Sequence, residues 1–423
     1  AHQQMQTAGF DPNRDSDIAA FVKLERYFEE GKSPRMIMGR NPKFNIAYAQ
    51  VIEPIEQAFF KLPQVANACD QFSCGKKFEK LLGGWFMEND MSKFEASQRY
   101  LTLQLEHLVY SLVMPEKQDL IDVLFSYKIR KQGHTNTGVN FKFYECRGSG
   151  DMDTSLGNGI LNYISTQYFL MENYCPNCTL GECKNPGCRS YSFALKGDDS
   201  YAGIPRFRDD YINTYAYFGF EAKIIIRKVP EDVEFCSGHF LEYAPGKYVY
   251  VQKLQKLLES LTTCINADAI RCGWVAHYYK SLGLMYKVLY KGIPVYEDIA
   301  DMLCRSSDHG LNINLVTSFN LLDMFSNQKE GYESPIYYSL LWTSMSMINK
   351  MDIAELSRIQ RWAQKFSLTF APELSKRCNT RTPKLVDIPR VNYDEINESI
   401  FAGTMPSDIR KYYDRLRKDR NQF

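Results

Sequence analysis

Apolar and polar positions along the chain alternate in two periods. Around residues 191–204, Tyr191 and Phe193 precede "ALKGDDSYAGI", and an apolar run resumes after two adjacent acids. Apolar run, turn, apolar run predicts a β-hairpin with its tip at Lys196–Asp199. The segment "GGWFMENDMSKFEASQRYLTLQLEHLVYSLV" predicts a short strand that ends near Asp90. A helix follows, in which Leu101, Leu105 and Leu108 recur at helical spacing. After the loop Gly148-Ser149-Gly150 a long helix is expected from about Thr154 to Asn173. Thr154 and Asn158 share one face of it, and Leu161, Ile164, Tyr168 and Met171 form its buried stripe. Beyond residue 240, "VQKLQKLLESLTTCINADAIRCGWVAHYYKSLGLMYKVLY" and "LLWTSMSMINKMDIAELSRIQRWAQKF" read as helices. The expected class is α+β.

Where strand ends and turns meet, acids accumulate. Asp198 and Asp199 suit a tight turn, Asp90 suits a helix cap, and Glu95 suits a first helical turn. Brought together across neighbouring strands, the same carboxylates would hold two Mg²⁺ ions, or Mn²⁺ in their place, since hard cations favour oxygen ligands. Two such ions about 3.5–4 Å apart clamp the attacking and leaving oxygens of an in-line phosphoryl displacement. Polar residues on one turn after the Ser-Gly loop, Thr154 and Asn158, could hydrogen-bond a ribose hydroxyl; a capped amphipathic helix explains the stripe without any ligand. It does not explain Gly157 and Asn158, both poor helix formers, inside a helix.

Composition narrows the class further. The 423 residues allow two or three domains or one large multi-lobed enzyme, and 44% hydrophobic residues support a substantial core. A net charge of +1 gives no global case for nucleic-acid binding, so any basic surface must be local. One such patch exists. From Gly31 to Ile52 the chain carries Lys32, Arg35, Arg40 and Lys43 and no acid, a pattern suited to triphosphate or template phosphates. No transmembrane run or signal peptide is visible.

Of twelve cysteines, eight are scattered, a reduced, cytosolic usage. The other four form Cys175-x2-Cys178-x4-Cys183-x4-Cys188. That spacing suits one tetrahedral, structural Zn²⁺; two disulfides or a merely cysteine-rich loop are the alternatives.

Four segments in order complete the reading. "AFVKLERYFEEGKSPRMIMGRNPKFNIAYAQVIEPIEQAFFK", "DMSKFE", "SGDMDTSLGN" and "GDD" resemble motifs F, A, B and C of viral RNA-directed RNA polymerases, most closely those of the tombusvirus-like branch. "YFGFEAKIIIRKVPEDVEFCSGHF" resembles motifs D and E. The resemblance implies a right-hand polymerase with an antiparallel-sheet palm, partial fingers and a helical thumb. Residues 1–66 would carry the fingers with motif F, 67–113 the palm with motif A, and 114–145 an insertion. Residues 146–240 would carry motifs B to E, and 241–423 the thumb and a basic tail.

It further implies Mg²⁺ on Asp90, Asp198 and Asp199, and ribose recognition by Glu95, Ser149, Gly150, Thr154 and Asn158. A general-acid lysine would be Lys223 or Lys228, and Phe235, Cys236 and Ser237 would contact the primer strand. RNA template, nascent strand and NTPs are the implied partners, with other viral replicase components. The implied location is host cytoplasm, in membrane-associated complexes reached through a segment not visible here. Glu95 stands where most relatives carry Asp, and Asp153 where this branch commonly carries Asn. The N-terminal part of the fingers is expected to be missing or very short. A reverse transcriptase, which usually has an aromatic or aliphatic residue in place of the Gly of Gly-Asp-Asp, and a catalytically silent RNA-binding scaffold are the competing classes.

Overall fold

A computed structural model describes residues 11–23, 25, 33–175, 192–305 and 331–375. Its centre is an antiparallel sheet in the order β6-β7-β3-β8, made of Phe193–Lys196 (β6), Asp199–Ile204 (β7), Trp85–Met91 (β3) and Ala222–Arg227 (β8). The two inner strands are buried on both faces over most of their length, although β3 carries Glu88 and Asn89 among its buried residues. Successive side chains supply two different cores. Met87, Phe193, Leu195 and Ala202 pack to one side, and Phe86, Ala194 and Tyr201 to the other.

The first of those cores is completed by the long helix Thr154–Tyr174. At 1.5 Å per residue it runs about 30 Å. It buries more than the expected stripe, because it is packed on two sides: Leu156 and Ile160 enter one core and Leu161, Phe169 and Leu170 another. Ile164 and Tyr168 are only half-buried, whereas Asn158, Asn162, Ser165 and Thr166 are buried. The second core is aromatic. Phe78 stacks on Phe240 at 4.0 Å and on Phe86 at 5.1 Å, joining the central sheet to the sheet β9-β10-β11 (Glu234–Phe235, Gly238–Ala244, Lys247–Gln252).

A third sheet, β2-β1-β4-β5, combines Met36–Arg40 (β2), Ile18–Val22 (β1), Arg130–Thr135 (β4) and Asn140–Tyr144 (β5). Beside it lie the helices Pro42–Phe59 and Gln118–Ile129, which share one core through Val51, Ile55, Leu120 and Leu124. After residue 252 the described chain is helical. Val275–Leu289, Tyr296–Arg305, Tyr338–Asn349 and Ile353–Lys365 bury Leu282, Leu303, Leu341 and Leu356 together with Leu241 and Val249 of the β10-β11 hairpin. The expected mixed helix and antiparallel-sheet class is observed.

One expected helix turns out inverted in character. Tyr100–Val113 forms where predicted, but Leu101 is 73% exposed and Leu108 45%. Its buried face carries Thr102, Leu103, Glu106, His107 and Tyr110. Buried cations supply the reason. Glu106 pairs with Lys128 and Arg147, and Asp153 at the start of the long helix pairs with the same two. All four side chains are 0–1% exposed, and two anions face two cations. Tyr48 Oη donates to Asp153 Oδ2 at 2.8 Å. Burial works against the Asp153 charge, but Lys128 and Arg147 hold its carboxyl far below the usual range. This accounts for an acid at position 153. It also explains Gly157: a Cβ there would stand 2.4 Å from both Arg147 Nη2 and Glu106 Oε2.

Candidate active site

The hairpin tip is as expected. β6 ends at Lys196, which pairs with Asp199, and Gly197-Asp198 make the turn. Gly197 adopts φ +61°, a conformation that costs a side-chain-bearing residue energy. The turn is held from below: Asn162 Nδ2, buried in the long helix, faces the carbonyls of Gly197 at 3.0 Å and Asp198 at 2.9 Å.

Register brings the acids together. β3 pairs antiparallel with β7 up to Asn89 opposite Ser200, so the next positions set Asp90 alongside Asp199. Asp90 lies inside β3, and the following short helix Phe94–Ser97 begins after Lys93, so Asp90 is no helix cap. A cleft of about 690 Å³ opens here, lined by Asp198, Asp199, Glu95 and Asn158, with Lys23 and Lys196. Asp198 reaches solvent at the turn. The cleft walls, and then the charges of Glu95 and Asp90, nevertheless push its pKa up. Burial and the neighbouring Asp198 push Asp199 further, to about 6, although the Cys236 thiol and its backbone N–H hydrogen-bond it. The nearby cations do not offset this rise, the situation a divalent cation relieves.

The donor set therefore fits hard cations. Among the described residues no group of three His, Cys, Asp or Glu side chains is already gathered around one point.

The ribose candidates divide. Asn158 Nδ2 donates to Glu95 Oε1 at 3.2 Å, so these two are joined. The Thr154 hydroxyl is turned to the carbonyls of Asp151 and Gly148, at 2.7 and 3.0 Å, which closes the loop. Ser149 accepts from Met38 N at 2.7 Å, and Gly150 abuts Ile37, so both sit against β2 rather than in the cleft lining.

The basic patch is mostly structural. Arg40 is buried: its Nε donates to Asp151 Oδ1 at 2.8 Å, its Nη1 to Ser16 O at 2.8 Å, and its guanidinium covers the Phe44 ring. Lys43 is also buried, with Nζ 3.9 Å from Asp15 Oδ2. Neither presents its charge to a phosphate, because each neutralises a buried acid. Arg35 is exposed, pairs with Glu25 and lowers the Asp198 pKa, so its charge does reach the cleft. Lys32 lies outside the described residues.

Of the two candidate lysines, Lys223 lies near the start of β8 and Lys228 just past its end. Lys223 pairs with Asp90 across β3-β8. Lys228, five residues or about 17 Å further on, holds its ammonium 4.5 Å above the Trp85 ring. At the β9-β10 turn, Phe235, Cys236 and Ser237 all line the cleft, the last two with φ of 47° and 62°, and the Phe235 ring is at the same time buried against Tyr201 and Phe240. Phe235 is a core residue, since aromatic packing at the sheet junction claims it. Cys175 is buried just past the far end of the long helix; Cys178, Cys183 and Cys188 lie outside the described residues.

Several site residues escape motif reading. Asn162 clamps the acidic turn, and Gln98 and Arg147 back the Glu95–Asn158 pair. Only Arg147, beside the Gly-rich loop, carried a positional hint; a Gln or Asn in a helical stretch signals nothing.

Comparison with known proteins agrees with this geometry. The viral RNA dependent RNA polymerase family matches residues 1–377. The RNA-directed RNA polymerase of Groundnut rosette virus (strain MC1) is 26% identical over 329 residues, 72% of this chain and 36% of that protein. Those of Cymbidium ringspot virus and Tomato bushy stunt virus (strain Cherry) are each 23% identical, over 82% of this chain and 43% of theirs. The chain thus spans less than half the length of these relatives. With the ordered motifs and the carboxylates that strand register gathers, a match over residues 1–377 means that this chain belongs to the viral RNA-dependent RNA polymerase family.

Proposed function

We propose that the chain catalyses template-directed nucleotidyl transfer from NTPs for viral RNA replication. The observation that carries this is the register setting Asp90 beside the Asp198–Asp199 turn, which lines a cleft together with the Glu95–Asn158 pair. A 3′-hydroxyl attacks the α-phosphate of the incoming nucleotide and pyrophosphate leaves. Asp90 and Asp198, with Asp199 as second-rank ligand, would hold two Mg²⁺ ions, or Mn²⁺, which supply charge stabilisation at the attacking and leaving oxygens.

The remaining work falls to the chain's own groups. Asn162 keeps the acidic turn rigid, so Asp198 does not need to reorganise when substrate arrives. Glu95, oriented by Asn158, accepts a hydrogen bond from the ribose 2′-hydroxyl, the group that marks RNA. Lys223 donates a proton to departing pyrophosphate; its pairing with Asp90 supports it over Lys228. Arg35, Lys23 and Lys196 bring positive charge to the triphosphate and template.

The layout reads as a hand. The central sheet with β9-β11 is the palm, the β2-β1-β4-β5 sheet and its helices are the fingers, and the helices after residue 252 are the thumb. That residues 18–40 and 130–144 share one sheet supports joining the motif F segment and the 114–145 insertion in one unit. Cys175, Cys178, Cys183 and Cys188 bind a structural Zn²⁺ that ties the far end of the long helix to the strand returning at Phe193. Metal analysis of the reduced protein should find one zinc, and Cys178→Ser should lower the Tm. RNA template, nascent strand and other replicase components are the partners, in membrane-associated complexes of the host cytoplasm. Membrane contact would come through a segment not visible in this sequence; among the described residues no helix is long and apolar enough to cross a bilayer.

The test is primer extension on homopolymer RNA with each NTP in turn. Incorporation of the complementary NTP alone is expected; RNA binding without any incorporation would refute the assignment.

A further inference from the structure

An amide has two chemically opposite ends, so its sense matters wherever it is buried. Asn158 points Nδ2 at Glu95 Oε1 (3.2 Å), while its Oδ1 accepts from Gln98 Nε2 at 2.8 Å. Gln98 is oriented in turn, because its Oε1 accepts from Arg147 Nε at 2.8 Å. A guanidinium can only donate, so one polarity runs from Arg147 through Gln98 and Asn158 to Glu95. The relay is dry: Gln98 is 0% exposed, Arg147 2% and Asn158 3%. Its two ends are also tied through backbone, Arg147 N donating to Glu95 O at 3.0 Å.

We propose that Gln98 is a positioning residue for sugar selection, setting the sense of the Asn158 amide so that Asn158 presents N–H, not oxygen, to Glu95. This rests on the reading of Glu95 and Asn158 as the ribose contacts. Position 98 must accept on one side and donate on the other, which a neutral amide does and a carboxylate does not. Glu95 gives the device a purpose. A glutamate has one more rotatable bond than an aspartate, so its carboxylate needs a fixed donor to stay where a 2′-hydroxyl can find it. If the amide turned over, Asn158 Oδ1 would face the Glu95 carboxylate and drive it off.

Gln98→Glu tests this almost isosterically. It keeps an acceptor for Arg147 and removes the donor to Asn158. The measurement is kcat/KM for each NTP over its dNTP on a primed homopolymer template, with the melting temperature recorded in parallel. The NTP-over-dNTP ratio should fall about tenfold, as it should in Asn158→Ala, because a lost buried hydrogen-bond partner is worth about that factor. On the Asn158→Ala background, Gln98→Glu should bring no further fall. Gln98→Met, of similar length and without either polar function, should act like Gln98→Glu and carries the test should that variant not fold.

A normal ratio in Gln98→Glu alongside a reduced one in Asn158→Ala overturns the role of Gln98 and leaves the ribose reading standing. A normal ratio in Asn158→Ala removes the ribose reading and this proposal with it. An additional fall in the double variant shows Gln98 acting by another route and also overturns the proposal.

Discussion

Two clusters of charge lie at opposite ends of one electrostatic scale. In the buried cluster, Glu106 and Asp153 face Lys128 and Arg147 with no access to water, and the charges balance. At the cleft, Asp198, Asp199 and Glu95 line the wall and strand register sets Asp90 alongside Asp199, and the carboxyl groups of the acidic turn are driven up in pKa. The first arrangement holds the long helix, the Arg147 loop and the helix Tyr100–Val113 in one geometry. The second is poised to take up positive charge from elsewhere. Burial with full compensation marks architecture here, and acids left only partly compensated mark a candidate site.

The contrast can be broken at its strongest point first. Asp90→Asn and Asp198→Asn should each lower nucleotide incorporation by roughly a thousandfold or more, while the melting profile stays normal. Wild-type rates in either would remove the metal-holding role. Lys128→Met should do the opposite. Leaving Glu106 and Asp153 underpaired in a dry site should cost about 3–5 kcal/mol in denaturant unfolding. A loss below about 1 kcal/mol would show that the buried cluster reorganises instead of holding the core.

The two lysines sharpen the comparison along one strand and just past its end. Lys223→Ala should reduce kcat about a hundredfold, the usual scale for a general acid, and Lys228→Ala less than twofold. The reverse order would mean that strand register does not select the proton donor.

The smallest effect is the most direct measure of crowding. Asp199 titrates near 6 when folded, against about 3.9 in an unfolded chain. The folded state therefore holds its proton longer, and this contribution to stability is complete below about pH 4 and lost as pH rises through 6. Without divalent cations, Asp199→Asn should then be the more stable protein above pH 6, by about 1–3 kcal/mol, with no gain below pH 4. Added Mg²⁺ should raise the Tm of the wild type more than that of the variant. A pH-independent difference would contradict the crowding.

Much of the site was legible because its chemistry is local. Gly197 and the two acids announce a turn whatever surrounds them, and the change from strand to helix after Asp90 follows from periodicity. The basic patch was misread for the opposite reason. Arg40 and Lys43 look like Arg35 in a sequence, and what separates them is a buried acid contributed from elsewhere, Asp151 for one and Asp15 for the other. The leucines of the helix Tyr100–Val113 misled likewise, since Glu106 could be buried only once Lys128 and Arg147 met it.

By itself the sequence determined the order of the motifs, the acidic hairpin tip, the long helix after the glycine loop and the helices described after residue 252. Each of these rests on backbone preference or on spacing within a few residues, which neighbours in the chain settle among themselves. Tertiary structure alone decided that Asp90 meets Asp199, that Lys223 rather than Lys228 stands beside them, that Phe235 is core, and that Gln98 backs Asn158. Those outcomes depend on strand register and on the partners that distant segments bring. Slipping a strand by a single residue turns every side chain to the other face, and no local preference along the chain records which register the packed core will select.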